Sequence, residues 1–444
     1  MARLTVAVVA LVACSLLPAT GRAQRATPPR SETAGRPCEA AWSAPTDVQT
    51  SDRRPVYVEA PFAVKRGSEI LLLGLPTLEW QSPTELASLL SGNGLLRSSD
   101  SLAGTALDKR MQGQGVPRPP GASTMRLPRA ASDGAIVHVI WGETADTTAR
   151  ADVYVTELWY ARYGKNGQWS KPERVLSAET IFWNGTVPAL RLIDGEPMLA
   201  VAVGEKATSN VHRGVAFLRR VSGAWRTSWI STYGPLPSDV MAAPSGRNHL
   251  TLAFIGAVIG LHGQPSQDNS VFVVRSRDDG ITWTTPVAIE RLGTTRGYSL
   301  LLLPRPNETL HLAWAVDASA NNQQSRLTRL VSSDGGTTWP GRSDTPITAP
   351  LEAMSGDWIG EDVRAVARIP ATGKLLSIDW PPSGPAHIDT LSTEPAISVP
   401  RLSAIGKDSL MLTWGIMRSQ ITTVAGRSAP ALQLMTLSGT CALK

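Results

Sequence analysis

The side chains best suited to chemistry are scattered through this sequence, and their spacing excludes several reaction classes at once. There is no His-Glu-x-x-His pair to hold zinc, no Gly-x-Ser-x-Gly elbow to present a serine and no Walker A phosphate loop. His138 and His311 each stand three residues before a tryptophan, Trp141 and Trp314. Strand patterning explains that repetition better than a metal centre does, so neither metal nor cofactor is expected. Asp357, Glu361 and Asp362 in SGDWIGEDVR form an acidic rim beside Trp358. Such a group can meet a cation or a sugar, or can simply be a charged connecting loop. Trp183 in IFWNGT is a second aromatic contact candidate beside Trp358, with a core or edge role as the plain reading of each. The formal net charge is +6, but Arg and Lys are spread without a dense run. Nucleic acid is therefore not an expected partner, whereas acidic glycans or anionic envelope components are compatible with a mildly positive surface.

The elements that would position these residues read as short strands. The chain of 444 residues is 42% hydrophobic and 18% charged, with 38 Gly, 33 Pro and 14 Trp, a balance that suits many turns and an all-β core. Residues 1–23 read as a secretory signal peptide: Arg3, an apolar run over 4–17, then Gly21-Arg22-Ala23. An alternative takes Leu11-Val12-Ala13-Cys14 as a lipoprotein signal with a lipid anchor on Cys14. Either way the expected location is outside the cytoplasm: periplasm, cell envelope or extracellular space. Loss of residues 1–23 removes Arg3 and Arg22 and no acid, leaving a net charge of +4. Residues 24–52 read as an extended arm with Trp42 as its one aromatic, and 53–444 as a single repeat domain.

Two octets organise that repeat. Ser276-x-Asp278-x-Gly280-x-Thr282-Trp283 returns as Ser332-x-Asp334-x-Gly336-x-Thr338-Trp339, each following a strand. The Asp can accept backbone N–H groups, the Gly permits a positive φ, and the Trp supplies a large apolar plug for the returning strand. Around them, strand–turn–strand units recur, and a large aromatic residue recurs at the second strand of a unit: Trp141, Phe254, Trp314, Trp380 and Trp414. Such side chains are expected to be core.

The octets resemble the Asp-box of sialidases and other β-propeller proteins. The resemblance implies a sialidase-like, six-bladed β-propeller, with seven blades as the alternative if residues 56–124 form one of their own. It implies that the boxes are structural turns on the outer edge, away from any pocket. A closed ring would bring the chain ends together, so that Cys38 and Cys441 could form a disulfide across the closure; two unpaired thiols are the other reading. An active sialidase would also need three arginines clamping a carboxylate, an Asp acid/base and a Tyr nucleophile supported by Glu. Arg126 in Met125-Arg126-Leu127-Pro128 is nearest the family's first-arginine motif, while Ala367-Arg368-Ile369-Pro370 falls late. Arg213, Arg275 and Arg364 are further clamp candidates, and Asp146, near Glu143, is the acid/base candidate. The chain departs from the pattern in having no tyrosine after Tyr298. The resemblance therefore favours a non-catalytic binding or structural module that meets a glycan or an envelope protein through the ring's end face. An exo-sialidase or related glycoside hydrolase acting on acidic glycans is the alternative.

Overall fold

Alternation along single strands shows where the core forms. Over Leu310–Asp317, Leu310, Leu312, Trp314 and Val316 point one way while Ala313 and Ala315 point the other, and both sets are buried. A strand buried on both faces must lie in a sheet stacked between two others.

The computed structural model describes residues 39–47, 58–67, 69–76, 95–98, 125–143, 154–182, 190–204, 213–232, 237, 239–256, 269–293, 296–317, 324–392, 394–396, 398–406, 409–417 and 430–440. Two short strands, β1 (Glu39–Trp42) and β2 (Thr46–Asp47), come first. A three-stranded sheet follows: β3 (Val58–Arg66), β4 (Glu69–Pro76) and β5 (Leu95–Ser98). Then come β6 (Met125–Ser132), β7 (Val137–Glu143), β8 (Tyr154–Tyr163) and β9 (Glu173–Phe182). The next four are β10 (Arg191–Ile193), β11 (Glu196–Gly204), β12 (Arg213–Val221) and β13 (Ala224–Thr232). The fourth sheet is β14 (Asp239–Gly246), β15 (His249–Gly256), β16 (Asn269–Ser276) and β17 (Val287–Gly293). The fifth is β18 (Arg296–Pro304), β19 (Leu310–Asp317), β20 (Arg326–Ser332) and β21 (Gly341–Pro346). The sixth is β22 (Glu352–Ile359), β23 (Asp362–Arg368), β24 (Leu375–Trp380) and β25 (His387–Ser392). Last come β26 (Arg401–Gly406), β27 (Ser409–Met417) and β28 (Pro430–Thr440).

Each sheet is an antiparallel meander, and its leading strands touch those of the next sheet around a closed circuit. The contacts run β3 to β6, β6 to β10, β11 to β14, β14 to β18, β18 to β22, β22 to β26, and β26 back to β3. The fold is a β-propeller with six four-stranded blades and a smaller one, β3-β4-β5, that takes its own place in the ring. Six apolar clusters fill the seams between successive blades, and Trp141, Trp314 and Trp414 sit fully buried in three of them.

Closure uses both ends of the described chain. β1 adds to β28 with Glu39 opposite Thr440 and Trp42 opposite Leu437, so β1 is the fourth strand of the last blade. Trp42 packs into the last seam, and its Nε1 donates to Ser377 Oγ of the neighbouring blade at 3.3 Å. One junction is irregular: Thr180–Phe182 of β9 pair with Ala202–Gly204 of β11, joining two blades into one hydrogen-bonded sheet.

Both octets close the hairpin between the third and fourth strands of their blades. In the first, Ser276 Oγ donates to Asp278 Oδ1 at 2.7 Å and accepts Gly280 N–H at 2.8 Å, while Asp278 accepts the Thr282 N–H at 2.9 Å. The second repeats this with Ser332, Asp334, Gly336 and Thr338. Gly336 has φ +84°, and a Cβ there would lie 2.8 Å from Thr251 Oγ1 of the preceding blade. Only glycine lets the turn sit that close. Trp283 and Trp339 each then plug the seam toward the preceding blade.

Unit boundaries differ from the sequence reading in one blade. Leu375–Trp380 is the third strand, because Glu352–Ile359, a stretch read from sequence as connecting loop, is the first. Its small and polar residues at 355–357 gave no apolar run. Trp380 is nonetheless buried in a seam.

Candidate functional site

The leading strands of the seven blades leave a common cavity of about 450 Å³, within the usual range for small-molecule sites. Every blade contributes to its lining: Val64 from β3, Arg129 from β6, Arg191 from β10, Met241 from β14, Leu301 from β18, Asp357 from β22 and Arg401 from β26. The strands put these residues there because each blade buries both faces and turns its innermost edge to the axis.

The cavity is lined mainly by apolar side chains, and its charged residues are Lys65, Arg129, Arg191, Arg401 and Asp357. Arg129 and Arg401 are buried and flank β3 from either side. Burial lowers Arg129 to about 9, which still leaves it charged at neutral pH. Burial, and then the neighbouring charge of Arg129, push Arg401 well below the ordinary arginine value. Each keeps further interactions within the fold. On the other side Arg191 reaches past β14 and donates to the Leu302 carbonyl at 2.6 Å. Burial lowers its pKa, and the charge of Asp357 opposes that shift. Burial raises the carboxyl of Asp357, against the Trp358 N–H at 2.8 Å and the charge of Arg191. Three guanidinium groups and Lys65 thus share one cavity with one carboxyl group. Guanidinium groups so placed suit a carboxylate, sulfate or phosphate oxyanion.

The residues singled out from sequence lie mostly elsewhere. Arg126 is on β6 opposite Gly142, and Arg213 opens β12 opposite Thr232 and Gly204; the side chains of both lie outside the described residues. Asp146, Trp183, Cys14, Cys38 and Cys441 also lie outside them. Arg364, on β23, forms an ion pair with Asp379 of its own sheet and stands 3.9 Å from Asp362. Arg275 reaches Thr337 in the next blade's octet. Glu143 is buried and accepts the Trp141 indole N–H at 2.8 Å. Of the acidic rim, Glu361 belongs to a tight turn paired with Arg305, and Asp357 alone reaches the cavity. Trp358 is half-buried beneath the Arg305 guanidinium, 4.9 Å away. His138 bonds Tyr160 and His311 stacks edge-on to Trp380 in different seams. Among the described residues no three His, Cys, Asp or Glu side chains gather as a metal site.

Sequence reasoning missed Arg129, Arg191 and Arg401. Their common signal is an arginine four or five residues before the glycine of a first turn, at Gly134, Gly195 and Gly406. The pattern is visible only once the first strand of each unit is known.

No protein-family model matches the chain, and no curated protein matches it. Among solved structures it is similar to a protein of unknown function from Dyadobacter fermentans, at 13% identity and a TM-score of 0.44, over 90% of this chain and 99% of that one. It is similar to an α-L-arabinofuranosidase from Fusarium graminearum in complex with an iminosugar inhibitor, at 9% identity and a TM-score of 0.45, over 71% and 94%. It is also similar to a Trypanosoma rangeli sialidase, at 11% identity and a TM-score of 0.43, over 89% and 59%. The propeller itself rests on strand order and register, and these likenesses say nothing of substrate.

Proposed function

We propose that this chain is an exported, non-catalytic binding module that receives an acidic ligand, such as a carboxylate-bearing glycan, at its central cavity. The observation that carries this reading is the convergence of Arg129, Arg191 and Arg401 on one cavity that holds Asp357 as its one acidic lining residue. Export rests on the signal-like residues 1–23, with acylation of Cys14 as the anchored variant. An oxidising compartment would then join Cys38 to Cys441.

The test is calorimetric titration with uronic-acid-containing and sialylated glycans against neutral ones. Acidic glycans should bind and neutral ones should not, and Arg191→Gln should weaken binding about tenfold or more, the scale of one lost charge-assisted hydrogen bond. Equal binding of neutral and acidic glycans, or unaltered affinity in the variant, would refute the reading. One observation favours a hydrolase as the second reading: the carboxyl of Asp357, raised by burial, has the character of a general acid. Product release from the same glycans, lost in Asp357→Asn while binding persists, would favour it.

A further inference from the structure

Among the described residues the rim of the ring offers six outer edges besides the joined strand β9, and five of them are short or guarded. β17 pairs with its neighbour through two register shifts and carries Glu290 and Arg291. β21 is flanked by Pro340 and Pro346 and carries Arg342 ion-paired to Asp344. β25 has a register shift, and its exposed His387 lies 3.0 Å from Asp389. β1 and β5 are each only four residues long. Bulges, prolines, charges and shortness are the devices by which edge strands avoid further pairing.

β13 carries a single charge and none of the other devices. Its nine residues pair with β12 in unbroken register, Arg226 is its one charged residue, and Trp229 is 53% exposed. Among the described residues nothing pairs with its outer edge. We infer that β13 is the strand through which two copies of this chain pair, antiparallel and about a two-fold axis at Thr227.

The register follows from the hairpin. Ser222 and Gly223 both have positive φ, 50° and 82°, which makes a two-residue turn. Val221 and Ala224, flanking it, exchange hydrogen bonds, and the alternation of an antiparallel ladder then directs the N–H and C=O of Trp225, Thr227 and Trp229 outward. A second copy centred on Thr227 meets these groups with its own. Thr227 then faces its counterpart, Trp225 faces Trp229 of the second copy, and Arg226 faces Ser228. Side chains paired this way share a sheet face, two indole pairs stack on it, and no like charges meet. This self-complementarity is the argument for a second copy over a foreign peptide.

Sedimentation equilibrium of the full chain tests the proposal. The wild type should be a dimer at about 100 µM. Thr227→Pro removes an outward N–H without touching the β12 ladder, and Trp229→Lys replaces an indole of each pair with a charge that pairing would desolvate; both should be monomeric with unchanged melting. Thr227→Cys should cross-link to its own counterpart under mild oxidation, and Arg226→Cys should not, each measured against the wild type's own thiols. A monomeric wild type, a Thr227→Pro variant that remains dimeric, or a monomer that captures an extended peptide on β13 would overturn it.

Discussion

At the scale of single residues, the octets and the buried histidines were readable to different depths. The Ser-x-Asp-x-Gly-x-Thr spacing is chemically sufficient for the turn's inner bonds, because the Ser and Thr hydroxyls, the Asp carboxylate and the Gly N–H find partners inside the same eight residues. The Asp279 and Gly335 N–H groups donate outward, to the Asn248 and Glu308 carbonyls. Hydrogen bonds from the Thr282 hydroxyl and N–H and the Ser276 hydroxyl hold Asp278 to about 2. Burial works against Asp334, yet its bonds to Thr338 and Ser332 bring it to about 2 as well. His311 could not be read so. Its environment comes from β19, β20, β22 and β24, far apart in sequence, with Arg329, Trp358 and Trp380 as neighbours. Neither ring nitrogen has a partner among the described residues. Burial, and secondarily the charge of Arg329, keep its pKa well below 6.5, while the unfolded chain titrates at the ordinary value. Below that value the unfolded state therefore binds a proton the native state refuses, and stability is lost as pH falls. His138, also lowered by burial, adds to the effect. Thermal melts between about pH 7 and about pH 5 should show a falling midpoint, and His311→Phe should flatten the slope. A wild-type midpoint constant across that range would contradict the account.

At the scale of elements, outer turns lock blades together through arginines of the preceding blade. Arg219 of β12 pairs with Asp279 and reaches its carbonyl, Arg275 of β16 reaches Thr337, and Arg329 of β20 donates to the carbonyls of Pro381 at 2.6 Å and Pro382 at 3.2 Å. The sequence conceals this device because the three arginines stand at unequal distances from their turns. Strands with apolar runs were legible, such as Leu310–Asp317; the polar β22 was not, and with it went the position of Asp357. The closing strand was legible only as a consequence of ring geometry. Its register makes a further expectation specific: Cys38 and Cys441 lie outside the described residues, but each is the next residue after the Glu39–Thr440 pair. A non-reducing peptide map should recover them joined, and reduction should cost about 2–4 kcal/mol of stability by denaturant titration. Recovery of two free thiols would sink this.

At the scale of the whole molecule, no blade stands alone, since every described seam takes its apolar residues from two blades. Composition and the two octets were enough for the ring, whereas the cavity required knowing which strand of each unit leads. That ordering depends on closure, a property no single unit contains. Mutual burial also predicts that far-ultraviolet circular dichroism and tryptophan fluorescence trace one coincident denaturant transition. Separate transitions would show blades melting on their own.

The pairing of Glu39–Trp42 with residues 437–440 also sets a timetable. During synthesis the first strand must wait, its amides bonded to water, until residues 437–440 have emerged. The circle is thus completed only after about four hundred intervening residues have been made, and a chain cut short before Leu437 would leave its opening strand with nothing to grasp.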